Sequence, residues 1–284
     1  MRNLLIPIVL LAVAGSGAGA GLEKALDLYR QTRYEDTLEL LSATEQKDAA
    51  TYALMAKCEY RLGKFKDSTE FLEHAVKANP NRSEYYDWLG KAYGRRAETS
   101  SFLTAPGHAS KARDAFQKAV ELDPKNLEAT SDLFQYYLEA PGFLGGGLDK
   151  AAALAEQIKK LDPAEYHWAQ AKLAEKRKES NTAEQQLRMA ASLAPRQVSR
   201  LIDLAKFLAR QGRYTESDAT FRQAERIAPN DPQLLFAQAS EYITANRNLE
   251  TARQLLERYL SSQLSPDDPS RKEAEALLKK AASG

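Results

Sequence analysis

An all-α fold, built as a stack of helical hairpins, is predicted by three observations on the sequence. Pro80, Pro124, Pro163, Pro195 and Pro229 each follow a helical pattern, at separations of 44, 39, 32 and 34 residues. Twelve residues before each proline stands a small side chain, Ser68, Ala112, Ala151, Ala183 or Ser217, and four residues further on stands Leu72, Phe116, Ala155, Leu187 or Phe221. Five residues before each proline stands Ala75, Ala119, Ile158, Ala190 or Ala224. These offsets share one helix face. The small residues let a neighbouring helix come close, and the larger apolar one fills the remaining gap. Proline then ends the helix, because it lacks an N–H and disfavours helical geometry in the residue before it. An ordinary bundle has no reason to repeat at this interval.

The first twenty residues differ from everything after them. Arg2 gives a short positive end, Leu4–Ala14 is an apolar run of eleven, and Gly15–Ala20 holds small residues only, with Ala18-Gly19-Ala20 matching an A-x-A cleavage signal. This composition predicts a secretory signal peptide over 1–20, cleaved after Ala20. An uncleaved anchor is the alternative, but a spanning helix needs about 20 mostly apolar residues, and here Gly15, Gly17, Gly19 and Gly21 follow the run. The mature domain is then 21–284. The chain has 40 Lys and Arg against 39 Asp and Glu, and losing Arg2 balances them. Neutrality argues against nucleic acid as a bulk electrostatic partner. A single cysteine, Cys58, excludes an internal disulfide framework, so stability must come from helix packing.

Taken in order, Leu22–Thr32 and Tyr34–Ser42 form a first, degenerate hairpin. Asp48–Leu62 and Phe65–Ala78 form the second, joined through Gly63. Asn81–Arg95 opens the third, whose partner runs from about Ala109 to Leu122 after a turn-rich insertion, Ala97–Gly107. Asn126–Glu139 and Leu148–Leu161 are the fourth, separated by Pro141–Gly147. Ala164–Arg177 and Thr182–Leu193 are the fifth, Val198–Arg210 and Tyr214–Ile227 the sixth, and Pro232–Ala245 and Leu249–Ser261 the seventh. A more polar helix at about 269–281, with Asp268 as N-cap and Pro269 in its first turn, suits a cap over the last hairpin.

The motifs Tyr86-x-x-Leu89-Gly90-x-x-Tyr93, Gly63-x-Phe65 and Gly212-x-Tyr214, with the small, large and proline positions above, resemble the tetratricopeptide repeat, Tyr86 standing in for its tryptophan. The resemblance covers most of the chain after residue 21 and implies a right-handed α-solenoid of about seven hairpins plus the capping helix. It also implies a non-catalytic scaffold whose first helices line a concave groove for peptide segments or helices. A scaffold in the periplasm or outside the cell is therefore expected, with a membrane-tethered assembly factor, or an enzyme using the 97–107 and 141–147 insertions, as alternatives.

Catalytic and metal chemistry find little footing. The only histidines are His74, His108 and His167, and no H-E-x-x-H, G-x-S-x-G or paired cysteines occur. A Cys58–His74 nucleophile pair is conceivable within the second hairpin, against a plain core cysteine and a part-exposed histidine. Gly142–Lys150 is glycine-rich before a helix, but Ala151 follows the lysine and a helix, not a strand, precedes. It reads as an elongated turn with Asp149 capping the next helix. No metal or cofactor is expected.

Two binding surfaces are expected instead. Lys57 and Arg61, Lys172 and Lys176, and Lys206 and Arg210 stand twenty-three and nineteen residues before their closing prolines, and alignment on Gly90 adds Lys91 and Arg95. Residues four apart share a helix face, so four first helices place two cations each on the expected inner wall, with a gap at Gln135 and Glu139. The alternative is a generic solvated face, since Lys and Arg favour helices. An acidic partner segment is the corresponding expectation. The lysine–asparagine clamp of some tetratricopeptide domains is not carried over, because these helices lack the matching asparagines. The second surface is a ledge of Phe102, Leu103, Phe143 and Leu144 on the two insertions, unless these residues pack on one another or on the helices below.

Overall fold

Local hydrogen bonding sets where the helices begin. Asp48, Asn126, Asp162 and Asp231 each accept a backbone N–H of the following helix's first turn, satisfying donors that have no intrahelical partner. The structure, a computed structural model, describes residues 16–282. Among these residues there are fifteen α-helices and no strand. They pair as α1 Ser16–Arg30 with α2 Tyr34–Ser42, α3 Ala49–Arg61 with α4 Phe65–Ala78, and α5 Ser83–Thr99 with α6 Ala105–Leu122. Then come α7 Leu127–Glu139 with α8 Leu148–Leu161, α9 Pro163–Lys176 with α10 Ser180–Leu193, α11 Val198–Arg210 with α12 Tyr214–Ile227, and α13 Pro232–Thr244 with α14 Leu249–Ser261. The last is α15, Arg271–Ala282. Residues 1–15 of the expected signal peptide lie outside the described residues, and the expected cleavage point after Ala20 falls within α1. No helix of the described residues is long and apolar enough to cross a membrane.

All fifteen repeat positions named from the sequence are buried, none more than 7 % exposed. The close approach is visible at Gly90, where a built Cβ would lie 2.5 Å from the Phe116 ring. Any side chain there would overpack the α5–α6 contact. Left-handed backbone at Gly63 and Gly212 turns the chain from first to second helix, the conformation that glycine adopts without a steric penalty.

Three local expectations are corrected. The insertion of the third hairpin, Ala97–Gly107, is mostly helix: α5 runs on to Thr99 and α6 starts at Ala105, leaving five residues between them. Pro106 does not break α6, because in a first turn the missing N–H has no helical partner to lose. Asp268 does not cap α15. Its carboxylate accepts from the Ser265 N–H and hydroxyl at 2.7 and 2.9 Å, closing a turn. Ser270 and Glu273 form the capping box instead, the Ser270 N–H donating to Glu273 at 2.8 Å and the Glu273 N–H to Ser270 Oγ at 3.2 Å. Nor does Asp149 cap α8; Gly147 occupies that position and Asp149 lies in the first turn, where its charge faces the helix's positive end.

The polar helix α15 packs on α13 and α14, placing Ala274 and Ala281 against the Leu255, Leu256 and Tyr259 cluster. The curvature of the stack follows from which helices meet across hairpins. First helices pack on first helices, as α1–α3, α3–α5, α5–α7, α7–α9 and α11–α13, while no pair of second helices packs as closely. The first helices are therefore the inner layer. The ends of the stack also meet: Arg61 on α3 donates to Asp267, in the turn before α15, at 3.2 Å.

Candidate interaction groove

The inner layer gathers the eight cations expected from the sequence and gives half of them carboxylates from the neighbouring first helix. Lys57 on α3 bonds Glu84 on α5 at 2.7 Å. Lys176 on α9 reaches back to Glu139 on α7 at 2.5 Å, and Arg210 on α11 to Glu175 on α9 at 2.8 Å. Arg61 pairs with Asp267, Arg95 with Glu98, and Lys172 with Glu175 at 3.3 Å. Buried Arg200 on α11 pairs with Glu165 on α9, whose other oxygen accepts from Ser131 Oγ on α7 at 3.1 Å. The sequence reading missed these acids. Their signal lay in the same i, i+3 and i, i+4 offsets that picked out the cations.

Glu139, expected as part of a gap, is thus a rung of this ladder. With Gln135, Leu138, Trp168, Lys172, Glu175, Lys176, Asp203 and Arg210 it lines a cavity of about 560 Å³ over α7, α9 and α11. Both tryptophans of the chain lie on the inner layer and were also missed. Lys57, Arg61 and Lys91 sit 5.0, 5.7 and 4.9 Å from the Trp88 ring centre, and Lys172 lies 5.6 Å from that of Trp168. The ring's negative face helps hold these cations in place.

Lys91 is the most enclosed of the series. Its ammonium lies 2.9 Å from Asp87 Oδ2 and 3.1 Å from Asp132 Oδ2, and also bonds Glu128. These three carboxylates stand close enough together to hold a metal ion, but the ammonium occupies the central position. One ammonium neutralises one carboxylate, so burial and the Asp132 charge push Asp87 up to about 7. An unfolded Asp titrates near its ordinary value of 3.8. Between those values the folded chain holds a proton that the unfolded chain has lost, so stability falls as pH rises through the window, by at most about 1.4 kcal/mol per pH unit for one proton. Asp87→Asn is expected to flatten this slope in urea melts between pH 4.5 and 7. An unchanged slope would show that the cluster takes up no proton on folding.

The other sequence-predicted sites resolve differently. Cys58 is fully buried and burial pushes its thiol up to about 12, so it presents no thiolate at neutral pH. His74 is exposed, stacked on Tyr52 with ring centres 5.0 Å apart. In the glycine-rich turn the N–H groups of Leu144, Gly145, Gly146 and Gly147 all donate to carbonyls within the turn or α7, and Lys150 folds back onto the Gly145 carbonyl at 2.8 Å. These four donors are therefore not free to cradle a phosphate. Arg113 of α6 and the Tyr136 hydroxyl both donate to the Leu144 carbonyl, and a Cβ on Gly146 would meet the Ala140 carbonyl oxygen at 1.8 Å. This fixed turn carries Phe143 81 % exposed, and the other insertion leaves Phe102 and Leu103 84 % and 77 % exposed. Leu144 is half-buried.

The family model for the tetratricopeptide repeat matches residues 49–82 and 199–231, which are the α3–α4 and α11–α12 hairpins. No curated protein matches the sequence. Among solved structures, a tetratricopeptide repeat protein from Parabacteroides merdae aligns with a TM-score of 0.59 at 15 % identity, covering 93 % of this chain and 98 % of that one. A thermophilic protein of the same repeat type from Thermus thermophilus aligns with a TM-score of 0.55 at 22 % identity, covering 67 % of this chain and 98 % of that one. At these identities the likeness is one of fold. The chain is thus an α-solenoid of helical hairpins that carries tetratricopeptide repeats, a type of scaffold that generally mediates protein–protein interaction.

Proposed function

We propose that this chain is an exported, non-catalytic scaffold that holds a segment of another protein against its inner layer. The observation that carries this is the cavity of about 560 Å³ on α7, α9 and α11, walled by Trp168, Leu138 and the charged side chains around them. A concave site in which fixed charged groups surround Trp168 and Leu138 offers a ligand both burial and orientation. The ion pairs hold the wall charges in place before binding, which lowers the ordering cost of association. Export rests on the charged, apolar and small-residue order of Met1–Ala20. Phe102, Leu103 and Phe143 supply a second contact surface, since large apolar side chains exposed to this degree serve contact with another molecule.

The test is a photo-crosslinking residue at Gln135 to capture the partner, followed by titration of that partner against two variants. Gln135 is exposed, so Gln135→Trp fills the cavity without disturbing the core. It is expected to weaken binding at least tenfold (about 1.4 kcal/mol). Met189→Trp, on the outer helix α10, should leave binding unchanged. Equal affinity for the two variants would move the site off the inner layer and leave the exposed phenylalanines as the contact. The mass of the N-terminal peptide from the native host separates a cleaved, exported chain from a membrane-tethered one.

A further inference from the structure

The two ends of the stack meet through one ion pair. Arg61 is the last residue of α3, and its Nη2 donates to Asp267 Oδ1 at 3.2 Å across 206 residues. Among the described residues, no helix of the first two hairpins packs on α13, α14 or α15 as neighbouring helices pack on one another. The seam therefore hangs on side chains, not on a packed interface. Each side of it is built to present its charge. The Arg61 side chain is only 22 % exposed, with its guanidinium 5.9 Å from the Tyr60 ring centre and 5.7 Å from that of Trp88. Its direction is thus set by its own end of the stack. The Asp267 side chain is 81 % exposed, and among the described residues Arg61 is the hydrogen-bond partner of its carboxylate. It stands on a turn closed by the Asp268 carboxylate on Ser265 and pinned by the Tyr259 hydroxyl on the Pro269 carbonyl. Pro266 and Pro269 flank the two aspartates and restrict the backbone there. The other ion pairs of the inner-layer cations lie within one helix or join neighbouring hairpins.

We propose that Arg61 and Asp267 form a latch that closes the stack into a ring around its inner layer, and that a bound segment enters when this seam opens. This rests on the groove reading above and names how the groove is reached. Neighbouring hairpins are joined by buried apolar side chains, so parting any two of them exposes core to water. Parting the seam frees one guanidinium and one carboxylate, and water solvates both. A pair with one exposed member contributes little and weakens with salt, so the latch opens at small cost. The movement is spread over the whole stack, because each repeat bends slightly on its neighbour.

The experiment places nitroxide labels on the full chain at Gln31→Cys, in the first hairpin, and Lys272→Cys, on α15, both exposed positions. Cys58 is fully buried and stays unlabelled. Pulsed dipolar spectroscopy then reads the distance between the ends. The wild-type latch should give one narrow distribution at low salt. Asp267→Arg should lengthen and broaden it, as should about 1 M sodium chloride, where screening acts within about 3 Å. Arg61→Glu with Asp267→Arg restores the pair with its charges exchanged and should restore the narrow distribution. Asp149→Arg makes the same charge change at an exposed position away from the seam and should leave the distribution as it is. A distribution unchanged by Asp267→Arg overturns the latch, whether or not the double variant folds. Entry is read with a synthetic peptide of the segment captured at Gln135. Asp267→Arg should speed both its association and its dissociation roughly fivefold, since binding that waits on a conformational change is slowed by it. An association rate equal to wild type would overturn the seam as the way in. Should nothing be captured at Gln135, the groove reading fails, while the distance measurement still decides the latch.

Discussion

Ala183→Glu is expected to destabilise the chain by on the order of 4 kcal/mol, the range for a polar group buried without a partner. Ala183 is fully buried on α10, in the cluster that includes Leu173 of α9 and Leu187 one turn further along. Leu173 and Leu187 are themselves almost fully buried. A glutamate must therefore either lose its charge in an apolar layer or force α9 and α10 apart. Both outcomes strike the contact that defines the hairpin. Because each hairpin packs mainly on its neighbours, the Arg61–Asp267 contact apart, the damage should spread from the fifth hairpin outward. Hydrogen exchange should show protection lost first over α9 and α10, with the α3–α4 hairpin retaining it. A urea midpoint close to wild type, corresponding to about half a kcal/mol or less, would place Ala183 on the surface and overturn the repeat register.

Arg200→Met should cost roughly 3 kcal/mol, the lower end of the range for breaking a buried ion pair by removing one partner. Arg200 and Glu165 have side chains only 7 % and 15 % exposed, and the pair ties α11 to α9. Removing the guanidinium leaves the Glu165 carboxylate with the Ser131 hydroxyl at 3.1 Å as its remaining bonded partner. The double variant Arg200→Met with Glu165→Met removes the stranded charge as well and is expected to recover most of the loss, since a buried pair often contributes little over well-packed apolar side chains. Equilibrium urea melts of the two singles and the double, read as a cycle, check this. A single variant indistinguishable from wild type would show that solvent reaches Glu165 and that the inner layer is not sealed at that rung.

The hairpin register was legible in the sequence because it is written in local rules. Small residues at 68, 112, 151, 183 and 217 are needed wherever two helices approach closely, and all five are buried. Prolines after the second helices and Gly63 and Gly212 in the turns act through backbone geometry that a few residues decide. The positions of the cations were legible for the same reason, since offsets of four mark one face. What neighbours that face could not be read. Lys176 meets Glu139 and Arg210 meets Glu175 at separations of 37 and 35 residues, distances set by the stacking of whole hairpins. Arg61 meets Asp267 across 206 residues, only because the curved stack brings its ends together. Asp87 held to about pH 7 required a second carboxylate delivered by another helix, and its burial beneath Lys91. Sequence periodicity determined which side chains face inward. The tertiary structure alone decided which of those inward charges cancel, and so which remain open to a partner, because charge pairing depends on distances across the stack while helix faces depend only on distances along the chain.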